Sequence, residues 1–152
     1  MKSIATTTTY ASARIDGVLD CSTLKVGVLK TSPQANPVVT FHVIAGIQRH
    51  PVWALDRLAA IVFCYVQAVK QHNAELHRDD GVVEVTLSGN LVSGVESVCV
   101  VAQSINWHTS STIRNRAEAM VAEITGGGSR SPLWPFTEPM QLPLQAPTRR
   151  KP

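Results

Sequence analysis

Trp53, Arg57, Phe63 and Tyr65 all stand at odd positions of the run "WALDRLAAIVFCY". An extended backbone would therefore place three rings and a cation on one side, together with Ile61, and leave Leu58, Ala60, Val62 and Cys64 on the other. Rings and cations in alternation suit a ligand that carries both flat faces and negative charge. Aromatic stacking on a nucleobase is worth about 1–3 kcal/mol, and Lys or Arg meets the phosphates between bases. Lys25, Lys30, Arg49, His50 and Arg78 lie in or beside turns, where a cation can reach a chain running across a sheet. Phe41 alternates with Val39 and Val43 and reads as core, and Trp107 closes a strand and reads as packing or interface.

Catalytic chemistry finds no comparable footing. His42, His50, His72, His77 and His108 are scattered, and no H-E-x-x-H or G-x-S-x-G run occurs. Cys21, Cys64 and Cys99 form no C-x-x-C pair, which disfavours a zinc site or a disulfide framework and implies a reducing, cytoplasmic setting. Asp79 and Asp80 precede Gly81 and read as turn formers, and "TGGGS" lacks the lysine of a phosphate-binding loop. The expectation is a protein without cofactor or metal, and not an enzyme. A formal charge of +3 permits an anionic partner without requiring one. The first residues contain no apolar signal core, and "LAAIVFCYV" is about half the length that spans a bilayer, so no membrane association is expected.

The elements that must position these residues read mainly as strands. Ala11 to Leu19 alternates, and Leu24 to Leu29 extends it past a bend at "DCST". Pro33 and Pro37 bracket a turn into a strand carrying Val39, Phe41, Val43 and Ala45. Trp53 to Tyr65 reads as a third strand and Val66 to Leu76 as a short helix that "HRDDG" ends. "VVEVTLSGNL" directs Val83, Val85, Leu87 and Leu91 one way, and a last strand follows from about Glu96 to Trp107. That strand is apolar on both faces, so one face is expected to cover the core and the other a second subunit. Residues 109–125 predict a short helix, with a glycine stop at 126–128. Residues 126–152 hold six of the nine prolines and end in "TRRKP", which predicts a Pro-rich basic tail.

The reading is thus an all-β domain over residues 1–108 with one or two short helices, a C-terminal helix and a tail. Five strands with a helix between the third and fourth is the plan of the five-stranded OB-fold Greek-key barrel, whose open face commonly holds oligonucleotides or oligosaccharides. Three segments, in order, resemble the bacterial single-stranded-DNA-binding proteins and the related primosomal replication protein B family. These are "LKTSPQANPVVTFHVIAG", "DRLAAIVFCYVQAVKQHNAEL" and "DDGVVEVTLSGNLVSGVESVCVVAQSINW", spanning roughly residues 10 to 107. In this likeness Phe63 stands for the aromatic residue at the end of the third strand, and Cys64 replaces the glycine that usually follows. "HPVWALDR" stands for a shortened second loop, and "TRRKP" replaces an acidic tail tip.

The resemblance implies a cytoplasmic, homodimeric or homotetrameric protein that binds single-stranded DNA, or RNA, with little sequence preference. The basic end suggests a mobile element or phage as its bacterial setting. Trp134 and Phe136, among prolines, would suit docking to a replication protein. Two other uses of the same surface remain open: a primosome-like adaptor for a protein partner, and a viral or structural assembly component.

Overall fold

The computed structural model describes residues 12–29, 36–76, 82–93 and 98–140. Five long strands, β1 (Ser12–Leu29), β2 (Asn36–Ala45), β3 (Gln48–Leu55), β4 (Val82–Ser93) and β5 (Val98–His108), are joined by two helices, α1 (Asp56–Glu75) and α2 (Ser111–Gly127). A single 3-10 turn, Gly128–Arg130, and a two-residue strand β6 (Pro139–Met140) complete the described chain. The hydrogen-bonded order β2-β3-β5-β4-β1 closes on itself because β1 also pairs with β2. Closure at the other seam is a short parallel pairing of β3 with β5, Val52↔Val100 and Trp53↔Val101. With α1 inserted between β3 and β4, this is a five-stranded OB-fold barrel.

Alternation explains the strands. Ile15 and Leu19 on β1, Val39, Phe41 and Val43 on β2, Val52 and Ala54 on β3, Val85 and Leu87 on β4, and Val100 and Ala102 on β5 all point into one core. The bend expected at "DCST" is a wide bulge: the register against β2 jumps from Asp20↔His42 to Lys25↔Thr40. It lets one long strand serve both seams, pairing with β4 before the bend and with β2 through and beyond it. Gly46, at φ 65°, starts the two-residue turn that pairs Ala45 with Gln48. "HPVW" therefore belongs to β3, and the shortened second loop expected at "HPVWALDR" is this turn instead.

The third strand required a larger correction. It ends at Leu55, and the remainder of the run expected to be extended, through Tyr65, is the first half of α1. Asp56, at φ 56°, reverses the chain between strand and helix, the conformational task a glycine would usually perform. Helical burial then overrides the β-branched and aromatic composition, because Ala59, Val62, Val66, Val69 and Asn73 recur on one stripe with Ala60, Cys64 and Ala68 beside them.

The helix expected over 109–125 is α2, capped by the Ser110 hydroxyl, which accepts from the Ile113 N–H at 3.3 Å. It lies against α1, buries Ala117 and Ile124, and sends Arg116 to Glu75 at 3.1 Å. Beyond it the sequence predicted a tail, but the first part of that segment is packed. Phe136 is buried edge-on to Phe63, with ring centroids 6.1 Å apart, and Trp134 meets Phe136 at 5.0 Å. Prolines disfavour long regular elements here without preventing Trp134 and Phe136 from finding cover.

Candidate nucleic-acid interface

Residues of β2 that alternate with Val39, Phe41 and Val43 point away from the core, and pairing arranges them in rows across the outside of the barrel. One row is Lys25, Thr40, Trp53 and Val101, on β1, β2, β3 and β5. On one side of it lie Gly27, Val38 and Leu55, and on the other Asp20, His42 and Pro51, followed by Val18, Ile44 and Arg49. The loops β1–β2 and β4–β5, which flank this face in an OB-fold, fall at 30–35 and 94–97, outside the described residues.

This face carries cations. Lys25 is exposed and has no ion-pair partner among the described residues. Arg49 is also exposed, 3.6 Å from the Asp20 carboxylate. Asp20 is held locally: its Oδ1 accepts from the Ser22 N–H at 3.0 Å and hydroxyl at 2.6 Å, which draws the carboxyl below its usual range against the opposing effect of burial. The Thr23 hydroxyl donates to the Asp20 carbonyl at 2.7 Å and accepts from the His42 N–H at 2.9 Å, tying the bulge to β2. Partial burial, with the nearby Arg49 charge, favours neutral His42.

Trp53 lies on this face, but not as the exposed platform the sequence suggested. It is 5% exposed, within an outer cluster of Leu29, Val38 and Cys99, with Leu55, Val101 and Met140 packed against it. Cys99 and Val101 are the second apolar side of β5, so that side is covered by its own chain rather than requiring a subunit. The other three members of the expected ring-and-cation stripe are on α1, away from the face. Arg57 is exposed in its first turn. Phe63 is half-buried on Phe136, and Tyr65 is buried, stacked on Trp107 at 4.2 Å with the planes 3° apart. Alternation failed there because a helix turns 100° per residue, so alternate residues do not share a side.

His50 pairs with Val43, on the core side of the alternation. It lines a cavity of about 440 Å³ at a barrel end with Ile15, Leu91 and Val100 rather than the outer face. Lys30 and Arg78 lie outside the described residues. Thr40, His42 and Asp20 were missed, although the phase that marked Phe41 as core already marked Thr40 and His42 as facing the other way. A separate polar stripe covers β1, β4 and β5. There the Thr86 hydroxyl meets Asp16 Oδ1 at 2.6 Å and His108 Nε2 at 2.8 Å, and Ser88 meets Ser104 at 2.8 Å. Among the described residues no group of three His, Cys, Asp or Glu side chains is placed to hold a metal ion, and no helix is long and apolar enough to cross a membrane.

No family model matches the chain, and no curated protein matches it. Solved structures do. The SSB domain of a Synechococcus sp. protein shares 16% identity at a TM-score of 0.45, covering 65% of this chain and 97% of that one. A deletion mutant of the Thermus aquaticus single-stranded DNA binding protein shares 16% at 0.44, and the match spans 65% of this chain but only 41% of that one. PriB of Ralstonia solanacearum shares 13% at 0.36, over 63% and 97% of the two chains. At these scores the likeness adds nothing to what strand order and closure already establish, which is an OB-fold barrel.

Proposed function

We propose that this chain binds single-stranded DNA with little sequence preference, covering exposed strands in replication, recombination or DNA transfer, as a binding protein and not an enzyme. The observation that carries the reading is the exposed pair Lys25 and Arg49 on the outer β2–β3 face of an OB barrel, with the row of Asp20, His42 and Pro51 between theirs. Phosphate contacts dominate sequence-independent affinity. Two side-chain cations on one face, separated by one row, supply a track for a phosphate chain. Ring stacking at Trp53 is not part of the ground state, because its faces are covered.

Two rival uses lose their main support. A protein adaptor was suggested by Trp134 and Phe136, which are spent on the domain's own packing, and an assembly component by the second side of β5, which lies on Trp53. A homodimer or homotetramer remains part of the proposal, to be read by light scattering. The direct test is titration of a fluorescently labelled oligo-thymidylate by polarisation from low to moderate salt. Binding at low salt that weakens linearly in log–log form, by about 0.7 per phosphate contact, supports the reading. No binding at low salt overturns it.

A further inference from the structure

We propose that residues 137–140 are an intramolecular strap, rooted at Phe136, that covers the Trp53 edge of the outer β2–β3 face and must lift for a nucleic-acid strand to engage that ring. This rests on the single-stranded-DNA reading and adds a regulation of the same face.

The strap arrives by strand addition. β4 pairs with β1 only over Ser12–Asp20, so the second half of β1, beyond the bulge, has β2 on one side and an open edge on the other. β6 takes that edge in parallel, Val28↔Pro139 and Leu29↔Met140, and the Val28 N–H donates to the Glu138 carbonyl at 2.8 Å. Met140 thereby packs on the cluster that encloses Trp53.

Gly27 makes this seat possible. A Cβ built there would meet the Glu138 carbonyl oxygen, and Met140 Cγ and Sδ at 2.5 and 2.6 Å. The three nearest atoms all belong to the strap, so the missing side chain leaves a cradle that the strap fills. Gly27 lies in the row beside Lys25, Thr40 and Trp53, so the seat borders the proposed track on the side away from Arg49.

The attachment is also slight enough to open. Its ladder is two residues long, Met140 is only partly buried, and Glu138 and Pro139 are exposed. Upstream, Phe136 is anchored on Phe63 and Trp134, so the strap can peel from β1 while its root stays fixed. Locally open states of this kind are drawn from segments with few buried contacts. Released, it would uncover Trp53 beside Lys25, bringing ring and cation together on the barrel.

The test compares the full-length chain with Gly27→Ala and Met140→Ala. Hydrogen exchange of the Val28 amide reports the strap without any DNA, and oligo-thymidylate affinity reports the face. The expected result is loss of Val28 protection in both variants, with other β1 amides retained, and affinity tightened roughly tenfold, a change of about 1.4 kcal/mol. Trp53→Ala placed in the Gly27→Ala background should remove that gain. Loss of protection with unchanged or weaker affinity in both variants overturns the strap as a gate while leaving wild-type binding, and the proposed function, intact. Failure of the wild type and both variants to bind at low salt overturns the two together.

Discussion

Tyr65 on α1 and Trp107 on β5 lie face to face, 4.2 Å apart and 3° from parallel, and both are nearly enclosed. The stack clamps the helix that closes one end of the barrel to the last strand, with Ile61, Ile105 and Val121 around it. Tyr65, a ring that sequence alone offers to a ligand, is here packed on Trp107, which the sequence read as packing or interface. Trp107→Ala should therefore cost about 3–5 kcal/mol in denaturant unfolding. The oligo-thymidylate affinity of the fraction that remains folded should stay at the wild-type value. A large loss of affinity without a loss of stability would instead place this pair on the binding surface.

Burial pushes the thiols of Cys21 and Cys64 up to about 11 from an ordinary 9.0. Above pH 9 the unfolded chain releases protons that the folded chain keeps, so stability is complete below that pH and falls as pH rises toward 11. Each thiol contributes a slope of at most about 1.4 kcal/mol per pH unit. Burial also raises Tyr65, which acts in the same direction at higher pH. Urea midpoints between pH 8 and 10.5 should decline, and Cys64→Ala should flatten the decline. A midpoint constant over this range would contradict the burial of these groups.

What the sequence showed and what it hid divide along a physical line. Alternation located β1, β2 and β4 because polar residues mark much of one side of each, and the same alternation set Phe41 inside. It failed from Asp56 to Tyr65, where Ile61, Val62, Phe63 and Tyr65 are strand formers by preference and helical only because α2 and the barrel cover them. The cover over Trp53 was not legible either, since it depends on Met140 returning to β1 from far along the chain. Lys25 and Arg49 were found as loop cations and prove to be strand residues, which is why they share a face.

Phosphate recognition by that face predicts a specific salt response. Lys25→Ala and Arg49→Ala should each reduce the log–log salt slope of oligo-thymidylate binding by about 0.7. Stability should move by no more than about 0.5 kcal/mol for the exposed Lys25. Arg57→Ala, on α1, should leave the slope unchanged. Equal effects from all three would indicate diffuse attraction to a basic protein and no track.

Asp20 opposes this attraction from within the face. Its lowered carboxyl means that its support for the bulge is present above the unfolded value of 3.8 and is lost as pH falls through and below it. Asp20→Asn removes the charge beside Arg49 while keeping an acceptor for Ser22. Tighter oligo-thymidylate binding at pH 7 is expected, with a modest loss of stability that no longer grows in acid. Weaker binding would show that the bulge, and not the free guanidinium, is what the ligand needs.

The junction at Asp56 offers a test of why β3 stops where it does. A non-glycine residue in the left-handed region costs roughly 1–2 kcal/mol, less for aspartate, whose short side chain tolerates it. Asp56→Gly should thus raise stability by about 0.5–1 kcal/mol, the loosening of the unfolded chain offsetting part of the relief. Asp56→Val should destabilise by more, because a β-branched side chain is the least suited to that backbone. If the valine variant were as stable as the glycine one, Asp56 would not be the hinge between β3 and α1. Tyr65 would then have no fixed angle of approach to Trp107.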